Sequence, residues 1–210
     1  MNKWKETELV RSLLGFFLLF LLFVGLFIFV VPSTHQSSKI AEKIKSIKNE
    51  KVTYVAIGDS LTQGVGDSSN QGGFVPVLSQ ALESDFDWQV TSRNYGIAGN
   101  TSNQILKRMQ EKKDIQRDLK KAKVMTLTVG GNDVIHVIKD NITNLNVDTF
   151  TKPAQAYQKR LGQIIELARK DNKTLPIYIV GIYNPFYLNF PEMTEMQTIV
   201  DNWNQSTEEV

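Results

Sequence analysis

The sequence predicts an α/β domain built on a parallel sheet covered on both faces and preceded by one N-terminal transmembrane helix. Three observations carry this. From Lys51 onward, short apolar runs rich in β-formers recur and stop at Gly. Stretches of helical periodicity separate them, and strands alternating with helices are βαβ units. Ahead of them, Leu13 to Val31 is a run of 19 residues without a charged or strongly polar side chain. At ~1.5 Å per residue, such a helix just crosses a hydrocarbon core of ~30 Å.

The chain reads as a tail over 1–12, an anchor over 13–31, a linker with a stalk helix over 32–50, and one domain over 51–210. Nineteen apolar residues are long for the core of a cleaved signal peptide, although Val31-Pro32-Ser33 could serve as a cut site and release a secreted form. Arg11 lies closer to the apolar run than Lys39 does, which tilts the orientation toward an extracytoplasmic domain at the cell membrane. Ile40, Ile44 and Ile47 recur at helical spacing among four lysines, the pattern of a short amphipathic helix.

Within the domain, Val52–Gly58 is an apolar run typical of a strand buried on both faces. A Gly- and Ser-rich loop leads to a helix from Phe74 to about Ser84, and Gln89 to Asn94 is a weaker strand. Thr101 or Ser102 can cap a helix to about Lys112 with Ile105 and Met109 on one face. Val124–Val129 is a buried strand. Pro153 opens a long helix with Ala156, Leu161, Ile164, Ile165 and Ala168 inward. Pro176–Gly181 is the next strand. From about Glu192 a final helix places Met196, Ile199, Val200 and Trp203 on one side.

Charge and composition exclude several functions. Residues 1–50 hold seven Lys/Arg against four Asp/Glu, whereas 51–210 hold 17 against 18. The overall +2 therefore belongs to the membrane flanks, and a neutral domain lacks the basic face that nucleic acid needs. With no Cys, there is no disulfide framework, thiol catalysis or thiolate metal site. His35 and His136 are too far apart in sequence for a multi-His zinc centre. No cofactor or metal is expected, and nothing in the sequence fixes an oligomeric state.

Ligands of an open parallel sheet bind beyond the carboxyl ends of the strands. Here the first strand ends in Gly58-Asp59-Ser60-Leu61-Thr62-Gln63-Gly64, the second in Asn94-Tyr95-Gly96-Ile97-Ala98-Gly99-Asn100, and the third in Gly130-Gly131-Asn132-Asp133. A hydroxyl, a backbone N–H and a carboxamide converging on one point are what acyl transfer requires. Taken singly, Ser60 could sit in a turn, and Asn132 could brace a loop. Asp59 reads as a loop-bracing acceptor rather than a general base.

These three blocks, in order, resemble the SGNH, or GDSL, hydrolase family from Val52 to about Asn189. Gly58-Asp-Ser-Leu matches its first block with Ser60 at the nucleophile, Gly99 matches the glycine of the second, and Asn132 the asparagine of the third. The resemblance implies a three-layer α/β/α sandwich with a flavodoxin-like parallel sheet. It also implies metal-free hydrolysis of esters or thioesters, lipase or acylhydrolase in type. Ser60 would attack the carbonyl carbon; the Ser60 and Gly99 N–H groups and the Asn132 carboxamide would hold the oxyanion. Lipid, cell-wall and small acyl esters are the substrates this leaves open.

One departure stands out. The family's base is a His in an Asp-x-x-His block near the C-terminus, beyond a fifth strand. The one such pattern here, Asp133-Val-Ile-His136, abuts Asn132 on a segment that leads away from the strand end. His136, between Ile135 and Val137, reads as a lid or packing residue. The expectation is a C-terminally truncated enzyme, weak or inactive as a 210-residue form. Two other classes compete: a pseudoenzyme that keeps the pocket as a binding site, and a flavodoxin-like flavin or nucleotide binder. Against the latter, its loop would follow the second strand rather than the first. A P-loop NTPase is excluded, since no G-x-x-x-x-G-K-[ST] occurs.

Overall fold

A computed structural model describes residues 50–141, 143, 146–184 and 194–210. The expected anchor and stalk lie outside the described residues. Among those described, no helix is long and apolar enough to cross a membrane.

Among the described residues, four strands form one parallel sheet in the order β2-β1-β3-β4: β1 Lys51–Gly58, β2 Gln89–Gly96, β3 Ala122–Thr128 and β4 Ile177–Val180. The helices are α1 Ser60–Gln63, α2 Phe74–Phe86, α3 Ser102–Glu111, α4 Lys113–Lys121, α5 Gly131–Asp140, α6 Thr151–Ala168 and α7 Thr194–Glu208, with a 3₁₀ turn at Val147–Phe150. The α/β class and the parallel sheet agree with the sequence reading.

Central strands β1 and β3 are buried on both faces, and the two faces are covered unequally. On one, Val55, Ile57, Met125 and Leu127 join Ile105 and Met109 of α3, Leu161 and Ile164 of α6, and Ile199 and Trp203 of α7 in a single core. On the other, Tyr54, Ala56 and Val124 meet Val75, Leu78 and Leu82 of α2. Helices on both faces of the sheet make three layers. Edge strand β2 departs from double burial, with most of its residues exposed or half-buried. At the other edge, Tyr178 and Val180 of β4 are exposed.

The final helix buries Met196, Ile199, Val200 and Trp203, the stripe that i, i+3, i+4, i+7 spacing dictates. The structure departs from the sequence reading at three points. Helix α4 was not foreseen, because Lys113-Asp-Ile-Gln-Arg-Asp-Leu-Lys-Lys carries only Ile115 and Leu119 as apolar anchors. In α6 the fully buried stripe is Tyr157, Leu161, Ile164 and Ala168, and half-buried Ile165 packs against the same core as expected, while Ala156 is exposed. Tyr157 takes the inner position because its ring packs on Trp203, centroids 5.0 Å apart, and its hydroxyl meets Thr207 Oγ1 at 2.9 Å. Pro153 stands at the third helical position rather than the first, still within the turn whose N–H groups have no intrahelical acceptor.

Candidate active site

Parallel registration brings the strand ends level. Gly58 pairs with Gly96, and Ile57 with Leu127, so the segments after β1, β2 and β3 emerge side by side. Gly58 is required by crowding: a Cβ there would lie 2.6 Å from both Thr128 O and Thr62 Oγ1. Only hydrogen lets the three threaded segments approach this closely.

Ser60 opens α1, so its N–H has no intrahelical acceptor. Its hydroxyl is half-buried, makes no hydrogen bond among the described residues, and faces a groove of about 350 Å³. Asp59 fixes the turn beneath it. One carboxylate oxygen accepts from Leu61 N–H at 3.1 Å and from Thr128 Oγ1 at 2.7 Å. Asp59 is 6% exposed and turned toward the turn backbone and Thr128. Thr128 Oγ1 in turn accepts from Asp59 N–H at 3.1 Å and lies 2.8 Å from Thr62 Oγ1. Asp59 thus braces the loop, as its place beside Ser60 implied.

Gly99 stands at the third position of a turn closed by Asn100 N–H donating to Ile97 O at 3.2 Å. Its φ of 78° is the value a type II turn demands there. A Cβ would meet nothing within 4 Å, so glycine is required by the dihedral and not by space. This turn is tied to the first loop: Ala98 N–H donates to Gln63 Oε1 at 2.6 Å, and Asn94 Nδ2 to Thr62 O at 2.7 Å. Beneath both loops Arg108 donates to Tyr95 O at 3.0 Å and Gly58 O at 3.3 Å, its pKa lowered by burial.

Asn132 occupies the second position of α5 and lines the same groove as Ser60. Its Nδ2 donates to Asn100 O at 3.0 Å, so it does brace a loop, with a second amide hydrogen left over. Asp133 accepts from Ser102 N–H at 2.8 Å, from Ser102 Oγ at 2.5 Å and from Arg160 Nη2 at 3.1 Å, while Arg160 Nε donates to Ser102 Oγ at 2.7 Å. This network locks α3, α5 and α6 together behind Asn132. No local pattern singles out Arg160, Thr62 or Thr128, whose partners lie dozens of residues away.

His136 is exposed and lines a different cavity, with Asp133, Asp140 and Arg160, rather than the groove of Ser60. Among the described residues, the groove holds no imidazole. Its polar end is Asp59, Ser60, Thr128 and Asn132; the rest is mostly apolar, including Val134, Ile135, Ile138, Met196 and Val200. Among the described residues no group of acidic or imidazole side chains could hold a metal.

Residues 56–210 match the model of the GDSL-like lipase/acylhydrolase family. The chain belongs to this family. The GDSL-family chain is 33% identical over 178 residues to YpmR of Bacillus subtilis (strain 168), an uncharacterized protein, covering 84% of this chain and 69% of YpmR. It is 30% identical over 138 residues to the spore germination lipase LipC of Bacillus licheniformis, covering 63% of this chain and 64% of LipC. The chain thus spans about two thirds of the length of these curated relatives. In fold it resembles the lipase Lip_vut3 from a goat rumen metagenome, with TM-score 0.68 and 24% identity over 76% of this chain and 75% of that one. The SGNH-hydrolase family esterase AlinE4 has TM-score 0.51 and 23% identity over 76% and 74%. These two likenesses speak to the fold alone.

Proposed function

We propose that this GDSL-family chain hydrolyses carboxylic esters through Ser60, with an oxyanion site made of the Ser60 and Gly99 N–H groups and the Asn132 carboxamide. The observation that carries the reading is the convergence of Ser60 and Asn132 on one groove, with Gly99 on a turn bonded to both neighbouring loops. Ser60 Oγ attacks the carbonyl carbon and gives up its proton; the tetrahedral oxyanion collapses, the C–O bond to the alcohol breaks, and the alcohol leaves with a proton. Water then attacks the acyl-enzyme, releasing the carboxylic acid and restoring the hydroxyl. Donors held in place before the charge develops stabilise it without reorganisation.

The weakest step is removal of the Ser60 proton. Asp59 is engaged with Leu61 and Thr128, and His136 faces another cavity. Slow acylation follows unless another group reaches Ser60. We also propose that residues 13–31 tether the domain to the cell membrane, with the domain on the extracytoplasmic side; protease protection in oriented membranes tests this. For the chemistry, the test is turnover of p-nitrophenyl esters by the full chain and its Ser60→Ala variant. Ser60→Ala is expected to abolish whatever turnover exceeds the uncatalysed rate. Retention of over a tenth of the activity would remove Ser60 from the mechanism, and a chain that binds ester without turnover would be a binding domain with the same pocket.

A further inference from the structure

We propose that the domain seats the amino-terminal end of its sheet on an anionic phospholipid surface, with Ser60 facing away from that surface. This rests on the membrane tether proposed above and adds the orientation of the domain and the lipid charge that sets it. In a parallel sheet all strands start at one end, here the end opposite Ser60. Asn172 Nδ2 donates to Leu119 O at 3.2 Å and to Ala122 O at 2.8 Å, which holds the segment ahead of β4 beside the junction of α4 and β3.

Charge separates the two ends. Segments 50–51, 84–89, 120–123 and 169–176, which lead into the strands, hold seven Lys/Arg against four Asp/Glu. Segments 58–73, 96–101 and 128–133, which leave them, hold three Asp and no Lys or Arg. The domain, neutral as a whole, therefore carries a charge gradient along its strands. All seven cations, Lys51, Lys120 and Lys121 among them, are exposed. An anionic surface attracts one end and repels the other.

An aromatic pair marks the basic end. Phe86 and Trp88 stack with ring centroids 4.6 Å apart, on either side of Asp87, whose φ of 56° ends α2. Phe86 is 55% exposed. Lys123 Nζ lies 5.6 Å from the Trp88 ring centroid and donates to Glu50 Oε1 at 3.0 Å, so the pair is fixed to the start of β1. Aromatic rings among lysines suit a headgroup layer, where the rings sit between water and hydrocarbon and the ammonium groups meet phosphate. The carboxyl end also exposes Leu61, Val65 and Ile97, but on segments without a cation.

Chain connection favours the same end. Residues 32–49 separate the apolar run from Glu50, and the chain enters the domain beside the aromatic pair. Docking there needs no linker laid along the sheet, whose β1 of eight residues is ~25 Å long. The same length lifts Ser60 off the bilayer, so an ester in the tethering leaflet does not reach it while the domain is docked.

The full chain has no Cys, so single cysteines can carry a nitroxide at defined places. Ser84→Cys reports the amino end, Val65→Cys the carboxyl end and Leu22→Cys the apolar run. The chain is placed in vesicles of phosphatidylcholine and phosphatidylglycerol, with a trace of nickel-chelating lipid in both leaflets to relax labels near the headgroups. Strong relaxation is expected at 84 and little at 65. Lys120→Gln combined with Lys121→Gln should lower the ratio of docked to undocked domain about 25-fold, at about fivefold per cation lost, with thermal melting reporting that the variant folds. Relaxation at 65 rather than 84, relaxation at neither, or an 84 signal unchanged in pure phosphatidylcholine overturns the proposal. A water-accessible label at 22 with headgroup contact kept at 84 upholds the docking and sinks the tether. A lipid-buried label at 22 with no contact at 84 sinks the docking and leaves the tether standing.

Discussion

Asn132 Nδ2 donates to the Asn100 carbonyl at 3.0 Å, joining the loop after β3 to the turn that carries Gly99. The side chain proposed to stabilise the oxyanion therefore also sets its distance from the second donor. Asn132→Ala should lower kcat about 10²–10³-fold with little change in KM, since the bond to substrate forms fully only in the transition state. Steady-state kinetics on the full chain decide it, and a loss confined to KM would mean a substrate-binding role.

Behind Asn132, the Asp133 carboxylate is 6% exposed by side chain and Arg160 27%, at 3.1 Å. Removing one partner of such a pair leaves the other charge unpaired in a poorly solvated place. Arg160→Met should cost about 3 kcal/mol, the low end for a broken buried pair, and lower the melting temperature by roughly 6–12 °C. An unchanged melting curve would show that solvent already screens Asp133.

His136 tests the placement of the base. Asp133 is held by Ser102 and Arg160, and His136 lines a cavity other than the groove of Ser60, so we propose that Asp133–His136 does not operate as a dyad. His136→Ala should change the rate of Ser60 modification by a fluorophosphonate less than about twofold, well under the effect of removing a working base. Loss of modification would restore His136 as the base.

Much of this layout was legible beforehand. Gly, Ser and Asn after successive strand-like runs marked the candidate site because strand-end chemistry depends on local residue types. The α7 stripe, ending at Trp203, was legible because one face is wholly buried. Helix α4 was not, since seven of its nine residues are polar or charged. Nor was the supporting shell: Thr128 meets Asp59 across 69 residues and Arg160 meets Asp133 across 27, pairings that no periodicity encodes. In α6, Ala156 and Tyr157 compete for the inner position, and only the presence of Trp203 and Thr207 decides it.

Tyr157 also predicts an alkaline limit. Burial pushes its pKa up from 10.0 to about 12, and the Thr207 hydrogen bond only partly opposes this. The folded state then holds a proton that the unfolded state loses first, so this stability is complete below pH 10 and falls as pH rises from 10 toward 12. Across that window about 2–3 kcal/mol is lost. Melting curves should show a smaller alkaline loss in Tyr157→Phe than in the parent; equal slopes would mean that Tyr157 ionises as freely in the fold as outside it.

The central claim is that Ser60 is the nucleophile. Its most direct test is intact mass and peptide mapping of the full chain after treatment with a serine-directed alkyl fluorophosphonate. One adduct on Ser60, absent in Ser60→Ala and slowed by at least tenfold in Asn132→Ala, is the predicted result. No adduct on Ser60, or equal labelling of several surface serines, would contradict it.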